Sequence, residues 1–139
     1  MPANTQPIFP KTIRNVWTTV TIGIPGLDGT GANYVLIVAG ANGTRIDEIK
    51  CKSLGNCQKT VLRIFVNNGY AQSSALNNTF YAEIDLPQTV ASSTSIVSTE
   101  VNVLDPIQNL VLPANHKLIA CLGLSVADGW QVTVIGGDY

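Results

Sequence analysis

The sequence predicts a single all-β domain, and three observations lead there. From Arg14 to the C-terminus the chain runs as eight short apolar-alternating segments, each closed by a cluster of Gly, Asn, Pro or Asp. No stretch carries the spacing of an amphipathic helix. A length of 139 residues suits one hydrophobic core.

Residues 15–22 read as the first strand, with Val16, Thr18, Val20 and Ile22 on one face and Trp17, Thr19 and Thr21 on the other. Residues 23–33 hold Pro25, Gly26, Asp28, Gly29 and Gly31 and read as a flexible connection. Residues 34–39 are continuously apolar, which predicts cover on both faces. Residues 44–53 form the next strand, yet Ile46 and Ile49 stand three apart, so strict alternation cannot send both inward. A bulge between them repairs the pattern. Residues 60–66 set Thr60, Leu62, Ile64 and Val66 against Val61, Arg63 and Phe65. Asn67-Asn68-Gly69 carries a hairpin-turn signal, followed by a long polar connection.

Residues 80–86 alternate cleanly, with Phe80, Ala82, Ile84 and Leu86 inward and Tyr81, Glu83 and Asp85 outward. Residues 94–104 place Val97, Thr99, Val101 and Val103 on one face, and Asp105-Pro106 ends the run. Residues 110–112 are a short apolar lead into the turn Pro113-Ala114-Asn115, where Asn115 suits a left-handed backbone. Residues 118–124 and 130–135 close the fold. Leu118, Ala120, Leu122 and Leu124 face the core from the first, and Trp130, Val132 and Val134 from the second. Eight antiparallel strands in two packed sheets make a jelly roll over residues 14–139, preceded by an extended N-terminal arm over residues 1–13. A seven-stranded immunoglobulin-like sandwich fits less well, because no central Trp lies between paired cysteines.

Only 12% of the residues are charged, against about 25% in ordinary domains. Asn, Thr, Ser and Gln take their place, a composition that lets flat faces lie against neighbours without charge repulsion. The formal net charge of −1 gives no clustered basic face for nucleic acid. No apolar run approaches the roughly 20 residues that span a bilayer. The Pro-rich N-terminus lacks the apolar region of a signal peptide, so a soluble cytosolic product is expected. Cys51, Cys57 and Cys121 are odd in number and form no CxxC pair, which argues against a disulfide framework or a zinc site. A Cys51–Cys57 bridge is conceivable, but buried free thiols are the simpler expectation.

The residue types that carry catalysis are scarce. His116 is the only histidine and sits in a turn beside Lys117, with no carboxylate near it in sequence. Glu83 and Asp85 share an outward strand face, the ordinary pattern of a solubilising surface rather than of a glycosidase pair. Asp47 and Glu48 point to opposite faces unless a bulge intervenes. The glycines of residues 23–31 match neither phosphate-loop spacing nor a dinucleotide fingerprint. Trp17, Tyr34, Phe65, Tyr70, Tyr81 and Trp130 could form a sugar platform, but half of them stand at core or interface positions. No enzyme, cofactor or metal is therefore expected, and function is sought in surfaces.

Four segments carry a resemblance. They are Asn42-Gly43-Thr44-Arg45-Ile46-Asp47, Val61-Leu62-Arg63-Ile64-Phe65-Val66, Leu110-Val111-Leu112-Pro113-Ala114-Asn115-His116-Lys117-Leu118, and the C-terminal Gly129-Trp130-Gln131-Val132-Thr133-Val134-Ile135-Gly136-Gly137-Asp138-Tyr139. In order and spacing they resemble a family of small tailed-bacteriophage virion proteins, over about residues 14–139. Asn115 replaces the glycine of that family's usual Pro-Ala-Gly turn and is conformationally compatible. The resemblance implies a jelly-roll capsid cement (decoration) protein on the virion surface, a homotrimer whose partner is the major capsid protein, with no nucleic acid and no membrane. On that basis Pro7, Ile8, Phe9, Pro10 and Leu27 are expected to touch the capsid. Val61, Phe65, Ile119 and Ile135, all outward and apolar, are expected at the subunit interface. A carbohydrate-binding receptor module of a tail or fibre is the alternative.

Overall fold

The computed structural model describes residues 9–32, 34–97, 101–104 and 110–139. Among the described residues there are nine strands: β1 (Thr12–Val20), β2 (Tyr34–Val38), β3 (Thr44–Ser53), β4 (Thr60–Asn67), β5 (Asn78–Leu86), β6 (Val101–Leu104), β7 (Leu110–Leu112), β8 (Lys117–Leu122) and β9 (Trp130–Asp138). One sheet has the order β1-β9-β3-β6, with β7 also on β3, and the other has the order β2-β8-β4-β5. All strand pairs are antiparallel. β7 pairs with Thr44, Arg45 and Ile46 of β3, and β6 with Ile49, Lys50 and Cys51, so the two share one edge position end to end. The eight positions of the jelly roll are thus filled, the last by two short strands. Residues 110–112 are a strand in their own right rather than a lead-in.

The chain crosses between the sheets at nearly every connection, which drives alternate residues of both into one shared core. Val20, Ile46, Ile49, Leu62, Ile64, Leu118, Leu122, Trp130, Val132 and Val134 are fully buried there. Burial of such side chains contributes about 1.5–3 kcal/mol each. The bulge anticipated in β3 is present: the register against β9 shifts between Ile46 and Glu48, which lets both isoleucines point inward. The spare residue also leaves Asp47 and Glu48 both half-exposed, and Asp47 pairs with Arg45 at 2.8 Å. Asn115 has φ 65°, the left-handed conformation expected of it.

Several expectations are corrected by where strands end and bulge. β1 stops at Val20, so Ile22 lies outside the strand and is exposed. β8 stops at Leu122, and Leu124 beyond Gly123 is exposed rather than core. A shift in the β2–β8 register at Leu36 turns both Leu36 and Ile37 inward and leaves Val35 and Val38 on the outside, so β2 is not covered on both faces. β5 carries a bulge at Tyr81 against β4, which flips Phe80 to the outer face. There its ring lies 5.0 Å from that of Phe65. Residues 94–97 are irregular, not strand, and the expected break at Asp105-Pro106 lies outside the described residues.

Hydrogen-bond networks close both ends of the sandwich. At one end Arg14 donates to both carboxylate oxygens of Asp138 at 3.1 Å and to the Val38 carbonyl at 3.3 Å. The buried Thr44 hydroxyl donates to Asp138 at 2.6 Å and accepts from the Gly40 N–H at 2.9 Å. At the other end the Ser53 and Thr89 hydroxyls lie 2.6 Å apart, so one donates to the other, and the Gly55 carbonyl, 3.1 and 2.7 Å from them, accepts from the one whose proton is left. The backbones of Cys57 and Thr89 bond reciprocally, tying residues 87–91 onto the β3–β4 turn.

Candidate interaction surface

The two sheets treat their outer faces differently: one is covered by the chain itself and the other is bare. On the β2-β8-β4-β5 sheet, Val35, Ile119, Phe65 and Phe80 stand in one row across the strands. Residues 23–32 fold back over the middle of it. Ile24 N–H donates to the Leu122 carbonyl, Arg63 to the Ile24 carbonyl, Asn78 Nδ2 to the Asp28 carbonyl and Gln72 Nε2 to the Ala32 carbonyl. Gly29 has φ 77°, and a Cβ there would stand 3.1 Å from the Phe65 ring, so a left-handed and side-chain-free residue is required. Ala32, Phe65, Ile119 and Cys121 form a second buried cluster beneath, with Ile24 packed on it.

This corrects two expectations. Residues 23–32 are a pinned cover, not a flexible connection. Phe65 and Ile119 are fully buried under that cover, so neither offers a free surface to a subunit. Val61 and Ile135 are half-buried. Leu27, at the tip of the cover, is 56% exposed. Pro7 and Ile8 lie outside the described residues.

The β1-β9-β3 sheet has a different exterior. Ile13 is 88% exposed and Trp17 64%, and with exposed Asn15 and Thr19 they line the outward side of β1. Their cross-strand neighbours on β9 are Gly137, Ile135, Thr133 and Gln131. Phe9 is exposed, and Pro10 lies against Gly137, where a Cβ would collide with the proline ring. The chain thus enters the fold across this face, with Phe9, Ile13 and Trp17 exposed along its path. The sequence sets Trp17 on the face opposite Val16 and Val20 and leaves Ile13 in the arm; β1 begins at Thr12, three residues before the predicted start, and so brings Ile13 onto Trp17's side.

The titratable groups are arranged for structure. Arg14–Asp138, Arg45–Asp47 and Arg63–Glu83 are ion pairs. Glu83, one of the outward pair with Asp85, is engaged by Arg63 at 2.9 Å. His116 is half-buried with Nδ1 3.3 Å from the Ala114 carbonyl. All three cysteines are buried free thiols. Burial pushes the Cys51 thiol up to about 12, and burial likewise raises Cys121 against an opposing pull from Arg63. Thr30, through its hydroxyl and its N–H, holds the Asp28 carboxylate below its ordinary value. Among the described residues no three His, Cys, Asp or Glu side chains gather as a metal site.

The aromatic side chains are dispersed. Trp130 and Phe65 are buried, and the Tyr34 hydroxyl accepts from the N–H groups of Thr21 and Ile22 at 3.0 Å. Tyr70 stands exposed above an open depression lined by Asn68, Ala114 and Asn115. A shallow, largely apolar depression is bounded by Lys59, Val61, Arg63 and Leu124. Comparison of the chain with protein-family models, curated proteins and solved structures finds no match.

Proposed function

We propose that this chain is a non-catalytic structural protein, a capsid cement (decoration) protein of a tailed bacteriophage, which binds the major capsid protein and its own copies and clamps neighbouring capsomers. The observation that carries the reading is the exposed apolar face of β1, with Ile13 and Trp17, at the point where the N-terminal segment joins the sandwich. Weak contacts from such a face and from an adjoining arm combine through effective concentration when several copies bind one shell. The low charge content, the pinned cover over the opposite sheet and the bonded ends of the sandwich support a rigid, surface-acting role. The ordered resemblance of four segments to small virion proteins supplies the particular role.

The test is co-sedimentation of the purified protein with shells of the major capsid protein from the same particle. Wild-type protein is expected to pellet with shells and to raise their resistance to heat. Deleting residues 1–11, or the double change Ile13→Asp and Trp17→Asp, is expected to weaken binding while the domain stays folded. Failure of the wild-type protein to bind shells would sink the reading.

A further inference from the structure

Strand edges expose rows of unpaired backbone N–H and C=O groups, and soluble β proteins blunt them with short strands, bulges and charges. The sandwich has four edges, and three are blunted. The β3 side ends in β6 and β7, which among the described residues number four and three and pair with separate stretches of β3. β5 presents Glu83 and Asp85 and is bulged at Tyr81. β2 is five residues long and bulged at Leu36. β1 differs from all three. It runs nine residues, pairs with β9 without a register shift, and contains no proline. Its only charged side chain, Arg14, is tied to Asp138. No described strand pairs with its far edge.

We propose that this edge is a docking site for a second copy of the chain, β1 pairing antiparallel with β1 about a two-fold axis through Asn15. The inference goes beyond the cement reading, because it rests on the strand edges alone. The sequence of β1 selects the occupant and the register. With Asn15 opposite Asn15, Ile13 of each copy faces Trp17 of the other, and Arg14 faces Val16. Two apolar cross-strand pairs then flank an amide pair, and no like charges are opposed. Shifting the axis by one residue to Val16 sets Trp17 against Asn15 and Ile13 against Thr19, losing both apolar pairs. An antiparallel two-fold normal to the sheet keeps the exposed faces of both copies on the same side. The contact is isologous, the commonest kind in soluble oligomers.

The experiment is native mass spectrometry with sedimentation velocity on the full chain. The wild-type species is expected to contain an even number of copies of the 14.8 kDa chain. Asn15→Lys sets two like charges face to face on the axis and is expected to halve that mass. Asn15→Asp is expected to do the same, and mixing the two variants is expected to restore the original mass. Asn15 is exposed, so both variants keep the fold, which near-ultraviolet circular dichroism of the tryptophans checks. In a second arm, Ile13→Cys and Trp17→Cys copies are mixed under oxidation and expected to cross-link, whereas Thr19→Cys with Ile13→Cys is not. A wild-type species with an odd copy number overturns the proposal, as does an Asn15→Lys mass equal to wild type or a mixture that does not recover. A wild-type species that stays monomeric at 14.8 kDa, as an edge reserved for another protein's strand would give, also overturns it. Shell binding is scored separately: loss of pairing with binding retained, or the reverse, tells which of the two readings failed.

Discussion

The two sheets share a core but not an exterior. Over β8 and β4 the chain lays its own residues 23–32, and Phe65 and Ile119 are as buried as any core side chain. Over β1 and β9 it leaves Ile13 and Trp17 in solvent. A face that is apolar and covered is doing the work of folding. A face that is apolar and bare adds little to the stability of the isolated chain, and on the reading proposed above its side chains meet a second molecule. Equal outwardness in the strand pattern therefore conceals opposite roles.

The sharpest way to break this comparison is to truncate one residue on each face. Phe65→Ala is expected to cost about 3–5 kcal/mol in urea unfolding, the range for a buried aromatic. If it costs no more than a surface substitution, residues 23–32 are not a true cover.

The alkaline limb of stability comes next. The folded Cys51 thiol lies at about 12, above its ordinary 9.0. Its protonated form is favoured by folding, so that contribution is intact below pH 9.0 and lost as pH rises toward 12. The margin of wild type over Cys51→Ala is expected to shrink by up to about 1.4 kcal/mol per pH unit across that window. A constant margin would mean that the thiol is hydrated in the folded state. In the same protein, no thiol is expected to react with a disulfide reagent under native conditions, and all three after denaturation.

A smaller effect is expected at the cover itself. Gly29→Ala forces a side chain into the left-handed region and against Phe65, at about 1–2 kcal/mol. Hydrogen exchange should show the loss confined to residues 23–32; a global loss would make the cover part of the core. The smallest effect belongs to the bare face. Trp17→Ala is expected to change stability by less than about 0.5 kcal/mol while altering self-association. A loss approaching that of Phe65→Ala would erase the distinction between the faces.

The β pattern was legible because burial imposes a two-residue period, and departures from it were as informative as agreement. Ile46 and Ile49 announced their bulge, and Asn115 its left-handed turn. The bulge at Tyr81 was hidden, because Phe80, Ala82 and Ile84 alternate in sequence whether or not the backbone slips between them. Leu124 misled because a strand pattern does not mark where pairing stops, here at Leu122 before Gly123. Alternation sets Phe65 and Ile119 outward and Trp17 opposite Val16 and Val20, and those faces are so in the structure; Ile13, read as part of the arm, joins Trp17's side of β1. Which of them another part of the chain would cover is a long-range fact, set by hydrogen bonds such as Asn78 to Asp28 and Gln72 to Ala32. No local period encodes that.

The fragmentation of the β6–β7 edge bears on how far assembly can go. A sandwich with open strands at both margins of a sheet can add copies without end and grow into fibres. Here one margin of the β1-β9-β3 sheet is intact and the other is broken, so a join made through β1 consumes the available template. If copies join as proposed, growth by sheet extension is self-limiting, and concentrated protein is expected to stay clear and finite in size rather than gel.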